Sequence, residues 1–244
     1  MQTGCIDMTA ITPTITLALP SKGRLKEQCE AWLAASGLAI DQIGGERGYS
    51  GSLVSLPNIL IRYASPSEIG KALLAGDVHL GVTGEDIVRE ATSDVDARIA
   101  IDARLGFGFA DVVIAVPNGW IDVENVADLA EVASDMRLKT GKRFRIATKF
   151  PRLTNAFMTN NHVPDYRIVD SAGATEGAPA SGSAEAIVDI TTSGATLTAN
   201  ALKVLDDGVI LRSESCLMRS HGANWGDREL AVYAGLAGVW STQR

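Results

Sequence analysis

Ala184 to Asn200 reads Ala-Glu-Ala-Ile-Val-Asp-Ile-Thr-Thr-Ser-Gly-Ala-Thr-Leu-Thr-Ala-Asn, and this stretch decides the fold. Ala186–Ile190 is a short apolar run with β-branched residues, which suits a buried strand. Leu197–Lys203 has helix-compatible spacing. Between them Thr191, Thr192, Ser193, Gly194, Ala195 and Thr196 are all hydroxyl-bearing or small. A strand that feeds such a turn and then a helix leaves backbone N–H groups at the positive end of a helix dipole, where they can hold a phosphate. Asp189 repels phosphate but accepts hydrogen bonds from sugar hydroxyls. Together they point to a phosphorylated sugar, with the acid on the ribose diol and the turn on its 5-phosphate. On this stretch alone, an ordinary βα turn capped by Thr192 or Ser193 is the alternative.

The rest of the composition limits the partners. A chain of 244 residues with 46% hydrophobic and 21% charged residues has the make-up of a soluble globular protein with a substantial core. Its net charge of −7 argues against nucleic acid, so an anionic substrate must meet local cations. Cys5, Cys29 and Cys216 are scattered, as are His79, His162 and His221, and neither set has zinc-ligand spacing. Reduced thiols in the cytoplasm are the expectation. Residues 1–14 lack a secretory pattern, and no run approaches the ~18 apolar residues of a membrane span.

Working outward, strands alternate with helices. Thr14–Pro20 reads as a strand, followed by Ser21-Lys22-Gly23-Arg24 and a helix with Leu25, Cys29, Trp32 and Leu33 on one face, ended by Gly37. Gly23 permits close backbone approach, and Lys22 and Arg24 can reach several phosphate oxygens; a solvated loop is the plainer reading of that tripeptide alone. Gly44–Gly51 is glycine-rich and carries Arg47, either as a turn or as a flap that delivers Arg47 to a ligand. Ser65-Pro66-Ser67-Glu68 spells a capping box with proline at the first helical position, and Gly76 closes that helix. Val78–Val82 reads as a strand leading into the small polar loop Thr83-Gly84-Glu85-Asp86. Ile99–Ala103 and Phe109–Val116 are strands parted by Leu105-Gly106-Phe107-Gly108, a candidate hinge. Further on, Val126–Met136 and Pro151–Met158 read as helices, and Phe144–Ala147 and Tyr166–Val169 as strands. Val209–Met218 is a last apolar segment, and Asp227–Val239 a helix. The expected class is α/β with mainly parallel sheets in two lobes, 1–105 with 208–244 and 106–207, and a cleft between them.

The assembled pieces resemble the ATP phosphoribosyltransferase family over roughly Ile15 to Met218. The resemblance rests on Leu17-Ala18-Leu19-Pro20-Ser21-Lys22-Gly23-Arg24, Gly81-Val82-Thr83-Gly84-Glu85-Asp86, Leu105-Gly106-Phe107-Gly108 and Arg145-Ile146-Ala147-Thr148-Lys149. Above all it rests on Glu176 to Asp189, which is similar to the family signature E-x-A-P-x-x-G-x-A-D-x-I-x-D. One position departs: Glu185 stands where that pattern has Asp.

The resemblance implies a two-lobed fold like type II periplasmic binding proteins, with the chain crossing twice between lobes, the second time near Asp206-Asp207-Gly208. It implies that N1 of ATP attacks the anomeric carbon of phosphoribosyl pyrophosphate in histidine biosynthesis, with substrate-bound Mg2+. Arg24 and Arg47 are then the catalytic cations. Lys22, Gly23, Thr83 and Gly84 lie on the nucleotide and pyrophosphate side, and Glu176 joins Asp189 and the 191–196 turn on the phosphoribosyl group. The chain's end soon after Met218 is similar to the family's short form, which implies a homodimer within a hetero-oligomer containing a histidyl-tRNA-synthetase-like regulatory subunit. A two-lobed small-molecule-binding protein without catalysis is the alternative.

Overall fold

The structure is a computed structural model that describes residues 14–43, 49–171 and 173–241. The chain divides into two units: Met1–Thr83 with Asp96–Leu105 and Cys216–Arg244, and Gly84–Val95 with Gly106–Ser215.

The first unit is built on β1 (Ile15–Pro20), where Ile15, Leu17, Ala18 and Leu19 are all buried. Burial on both faces explains why this strand reads as an apolar run rather than an alternation. β1 runs parallel to β4 (Leu56–Ala64) on one side and to β5 (Leu80–Gly84) on the other. The hairpin strands β2 (Ile40–Ile43) and β3 (Ser50–Leu53) extend the sheet antiparallel beyond β4. β6 (Ile99–Arg104) and β12 (Ser215–Ser220), paired antiparallel, complete the order β2-β3-β4-β1-β5-β12-β6. Around this sheet the chain forms α1 (Gly23–Ala35), α2 (Pro66–Ala75) and α8 (Asp227–Ser241). The start of α2 is the expected capping box: Ser65 Oγ accepts the Glu68 N–H, and Glu68 Oε2 accepts the Ser65 N–H at 2.8 Å.

The second unit opens with α3 (Glu85–Ala91), followed by α4 (Val95–Arg98) at the boundary. Its five-stranded sheet comprises β7 (Asp111–Pro117), β8 (Phe144–Thr148), β9 (Tyr166–Asp170), β10 (Ala186–Thr191) and β11 (Leu202–Leu211), in the order β11-β7-β10-β8-β9. β8 is parallel to both β9 and β10, whereas β7 is antiparallel to β10 and β11. The sheets are therefore mixed: parallel pairs form the middle of the first sheet and the β10-β8-β9 end of the second, and antiparallel strands complete each. On β7, Val112, Ile114 and Val116 face one cluster with Phe144 and Leu129. Val113 and Ala115 face another with Ile187 and Leu197. That alternation is the period of two expected of a strand covered on both sides. α5 (Val126–Thr140) and α6 (Pro151–Asn160) supply one cover.

Two readings change. The helix expected to run from Leu197 to Lys203 is α7 (Ala195–Ala199), only five residues long. Asn200 folds its side-chain amide onto the Thr196 carbonyl at 2.9 Å, Ala201 turns into the left-handed region at φ 54°, and Leu202 then pairs with Pro117. Sheet pairing overrides the local helical spacing here. Asp206-Asp207-Gly208, expected at the second crossing, lies inside β11, and the second unit runs on to Ser215. Asp207 there has a structural task, accepting the Val126 N–H at the start of α5 at 2.8 Å.

Two helix-ending glycines separate strain from collision. Gly141 closes α5 at φ 73° with open space where a Cβ would stand; Gly76 closes α2 at φ 82°, and a Cβ there would strike the Gly222 carbonyl. In urea unfolding, Gly141→Ala is expected to cost about 1 kcal/mol from the left-handed backbone alone. Gly76→Ala should cost about 3 kcal/mol, because the packed backbone must also shift. Equal losses would mean that the Gly222 contact yields freely.

Candidate active site

Because β8, β9 and β10 are parallel, their carboxyl ends meet at one edge, the side on which open α/β sheets receive ligands. From that edge leave Thr148-Lys149, Asp170-Ser171 and Asp189 to Thr196. Val188 is in register with Thr148, so Asp189 and Lys149, one step further along each chain, lie abreast. Asp189 is half-buried, and its Oδ1 accepts the N–H of Ile190 at 2.8 Å. Desolvation pushes its carboxyl above the usual carboxylate range, and the neighbouring Glu176 charge adds to that. The Ile190 N–H, the Lys149 ammonium and the Thr175 hydroxyl pull the other way. Glu176 sits on a short 3-10 turn, Thr175–Gly177, whose Thr175 is buried with its hydroxyl 2.6 Å from that of Ser171.

The turn after β10 is held by its own hydroxyls. Thr191 Oγ1 accepts the Gly194 N–H at 2.9 Å, and Ser193 Oγ accepts the Ala195 N–H at 3.4 Å. Thr192 Oγ1 donates to the Phe109 carbonyl at 2.8 Å, which ties the turn to the segment before β7. Gly194 has φ 74°, and no atom lies within 4 Å of where its Cβ would be, so the backbone is open on that side. Thr192, Ser193, Ala195 and Thr196 are exposed. The Gly194 and Ala195 amides thus face hydroxyl oxygens that the oxygens of an anion can replace. A five-residue α7 contributes little dipole, which corrects the weight first placed on its helix end.

The other candidate residues are placed as follows. Lys22, Gly23 and Arg24, in the first unit, are exposed where β1 gives way to α1. Gly23 takes φ 70°, and among the described residues neither cation enters an ion pair. Thr83 is fully buried and donates its hydroxyl to the Pro66 carbonyl at 2.9 Å, so its side chain braces α2 rather than facing solvent. Gly84 caps α3, and a Cβ on it would collide with the Asp86 carboxylate. Arg47 lies outside the described residues. The structure therefore brings together Glu176, Asp189 and 191–196 in the second unit. Lys22, Gly23, Arg24 and Thr83 belong to the first unit, and Gly84 to the second.

Lys149 is the residue the sequence reading passed over, although it stood within a quoted motif at a strand end. Asp86 is another: Ser213 Oγ donates to its Oδ1 at 2.7 Å and accepts its N–H at 3.0 Å, and burial raises its carboxyl. Among the described residues no group of three or more His, Cys, Asp or Glu side chains gathers to hold a metal, and no helix is long and apolar enough to cross a membrane.

Residues 65–236, well over half of the chain, match the family described as ATP phosphoribosyltransferase. The chain belongs to the ATP phosphoribosyltransferase family. It is 56% identical over 223 residues to the ATP phosphoribosyltransferase of Nitrobacter winogradskyi, covering 91% of this chain and 69% of that one. Identity to the Caulobacter vibrioides protein of the same name is 51% over 228 residues, 93% of this chain and 71% of the relative. The chain thus spans about two thirds of the length of these relatives. Among solved structures it is similar to the ATP phosphoribosyl transferase (HisG:HisZ) complex of Thermotoga maritima, with TM-score 0.67 and 23% identity over 93% of this chain and 98% of that chain. The periplasmic aliphatic sulphonate binding protein of Escherichia coli follows the same fold at TM-score 0.52 and 18% identity, over 94% of this chain and 72% of that one. This is the expected type II periplasmic-binding-protein architecture.

Glu185, the departure from the family signature, is explained by the opposite end of β10. Its carboxylate meets the Arg145 guanidinium at 2.5 Å and accepts the Arg145 backbone N–H at 2.6 Å. Burial pushes Glu185 up, but the Arg145 hydrogen bonds and charge outweigh it and hold the carboxyl below its ordinary value. Two acids on one strand segment therefore oppose each other in pH dependence. Glu185 is lowered, so its contribution to stability is present above the unfolded value of about 4.3 and is lost as pH falls through the folded value. Asp189 is raised, so its contribution is full below about 3.9 and is lost as pH rises through the folded value. At pH 7, Glu185→Gln is expected to lower stability by about 1–3 kcal/mol, while Asp189→Asn raises the melting temperature. Both differences should shrink towards pH 3 in thermal unfolding; shifts of the same sign at pH 7 would contradict the assignment.

Proposed function

We propose that this chain is the catalytic ATP phosphoribosyltransferase of histidine biosynthesis, joining N1 of ATP to the anomeric carbon of phosphoribosyl pyrophosphate with loss of pyrophosphate. The observation that carries the reading is Asp189, half-buried beside Lys149 and immediately before the hydroxyl-lined turn. In this assignment the turn takes the 5-phosphate in place of its internal hydroxyl contacts, Asp189 accepts from the ribose diol, and Glu176 is the second acid at the sugar. Lys149 opposes the upward push on the Asp189 carboxyl and offsets the acidity of the site towards a phosphorylated ligand.

Cleavage of the anomeric carbon–oxygen bond develops positive charge on the ribose and negative charge on the departing diphosphate. Asp189 and Glu176 are suited to the first. Lys22, Arg24 and Arg47 are assigned to the second, with Gly23 admitting the phosphates to the backbone and Gly84 on the nucleotide side, while Thr83 braces α2 behind it. Adenine N1 is already a nucleophile, so positioning two anionic substrates is the main demand, and proximity can supply several kcal/mol. The divalent ion, which we take to be Mg2+, enters on the substrate phosphates, whose oxygens it prefers. We further assign the chain to the cytoplasm, as a homodimer in a hetero-oligomer with a histidyl-tRNA-synthetase-like regulatory subunit; the similar Thermotoga maritima structure is itself a two-protein complex.

Mixing the chain with ATP, phosphoribosyl pyrophosphate and Mg2+, with and without the regulatory subunit, and following product absorbance tests the reading. Arg24→Ala should lower kcat about 10²-fold, the effect of removing one preorganised charge contact in the transition state. Asp189→Asn should raise the KM for phosphoribosyl pyrophosphate about tenfold or more and leave that for ATP unchanged. Wild-type turnover in Arg24→Ala would remove that residue from the leaving-group role. Absence of product under both conditions would overturn the function.

A further inference from the structure

The sheet of the second unit has another end. Where β8 and β9 begin, a pocket of about 380 Å³ is lined by Met136, Lys142, Arg143, Arg145 and Arg167. Four of these five side chains are cations, in a chain whose formal charge is −7. Arg145 and Arg167 are register partners on parallel strands, so they leave the sheet on the same face. The Arg145 fork is taken by Glu185. Lys142, Arg143 and Arg167 enter no ion pair among the described residues, and two acids near the ends of these elements face other cations. Asp165 faces Arg137 at 3.8 Å, and Asp135 accepts from Lys139 at 2.6 Å. The carbonyl end of α5 accounts for Arg137, which donates to the Gly141 carbonyl, and for Lys139 in its last turn. It does not account for Arg145 and Arg167, which stand on strands.

Like charges held around one concavity repel unless an anion lies among them, and the volume is that of a small-ligand site. We propose that this pocket binds the oligophosphate group of a small molecule, at a site separate from the 191–196 turn. Guanidinium forks match phosphate oxygens two at a time, which a lysine-only patch would not do. Arg143 and Arg167 supply the forks, Lys142 a point charge, and Met136 an apolar wall. Arg145 and Lys149 are four positions apart, roughly 13 Å at the usual strand rise, so an occupant here leaves the carboxyl edge free. The proposal does not depend on the catalytic assignment.

The test is calorimetric titration of the full chain at low salt with inorganic triphosphate and, in a second arm, with GTP. Wild type should bind with an affinity that falls steeply as salt rises. An Arg143→Gln/Arg167→Gln double variant should bind about tenfold or more weakly with unchanged basal turnover, and Asp189→Asn should retain this binding. Tighter binding of GTP than of triphosphate would make a nucleotide the occupant; equal binding would make it the oligophosphate alone. Identical isotherms for wild type and the double variant would overturn the proposal, as would preference for a poly-glutamate peptide, which would mark a protein-docking surface. Far-UV circular dichroism checks that the double variant folds; if it does not, Lys142→Gln carries the same comparison.

Discussion

Desolvation of Asp189 works against its ionised form, and the groups gathered at the end of β10 act on that penalty from both sides. Its carboxylate stands at the exit of a strand buried on both faces, beside a second acid, Glu176. What holds it ionisable is local: the Ile190 N–H, the Thr175 hydroxyl and the Lys149 ammonium. The Lys149 contribution depends on strand register. Lys149 comes abreast of Asp189 only because β8 and β10 run parallel with Thr148 opposite Val188. A slip of one residue would turn Asp189 to the other face of the sheet and Val188 towards the ligand.

The same strands divide their labour along their length. At the amino ends, Glu185, Arg145 and Arg167 lie across three neighbouring strands, and the Glu185–Arg145 pair fixes how β10 enters beside β8. At the carboxyl ends, short side chains and hydroxyls replace ion pairs, and the backbone comes to the surface. A glutamate in place of the family's aspartate fits this division. Its carboxylate meets both the Arg145 side chain and the Arg145 backbone N–H, at the end of β10 opposite Asp189.

Features with a local cause were legible in the sequence. The capping box at Ser65 and Glu68, the left-handed Gly76, the apolar runs of β1 and β10 and the hydroxyl turn all follow from residues within one or two turns of one another. Features set by distant pairing were not. The Leu197–Lys203 spacing is helical, but Lys203 belongs to β11 because β7 offers its edge there. Thr83 looks like a ligand-facing hydroxyl in a small polar loop, and only the packing of α2 reveals that the Pro66 carbonyl claims it. Lys149 was visible as a letter in a motif; its partnership with Asp189 is a property of the sheet.

The central claim is that the sugar's phosphate replaces the turn's internal hydroxyl contacts while Asp189 holds the ribose. Amide hydrogen exchange of the Ile190–Leu197 segment with and without phosphoribosyl pyrophosphate addresses it most directly. Slower exchange at the Gly194 and Ala195 amides on saturation, abolished in Asp189→Asn at the same ligand concentration, is the result the account requires. Unchanged exchange through that turn while the donor is demonstrably bound would contradict it.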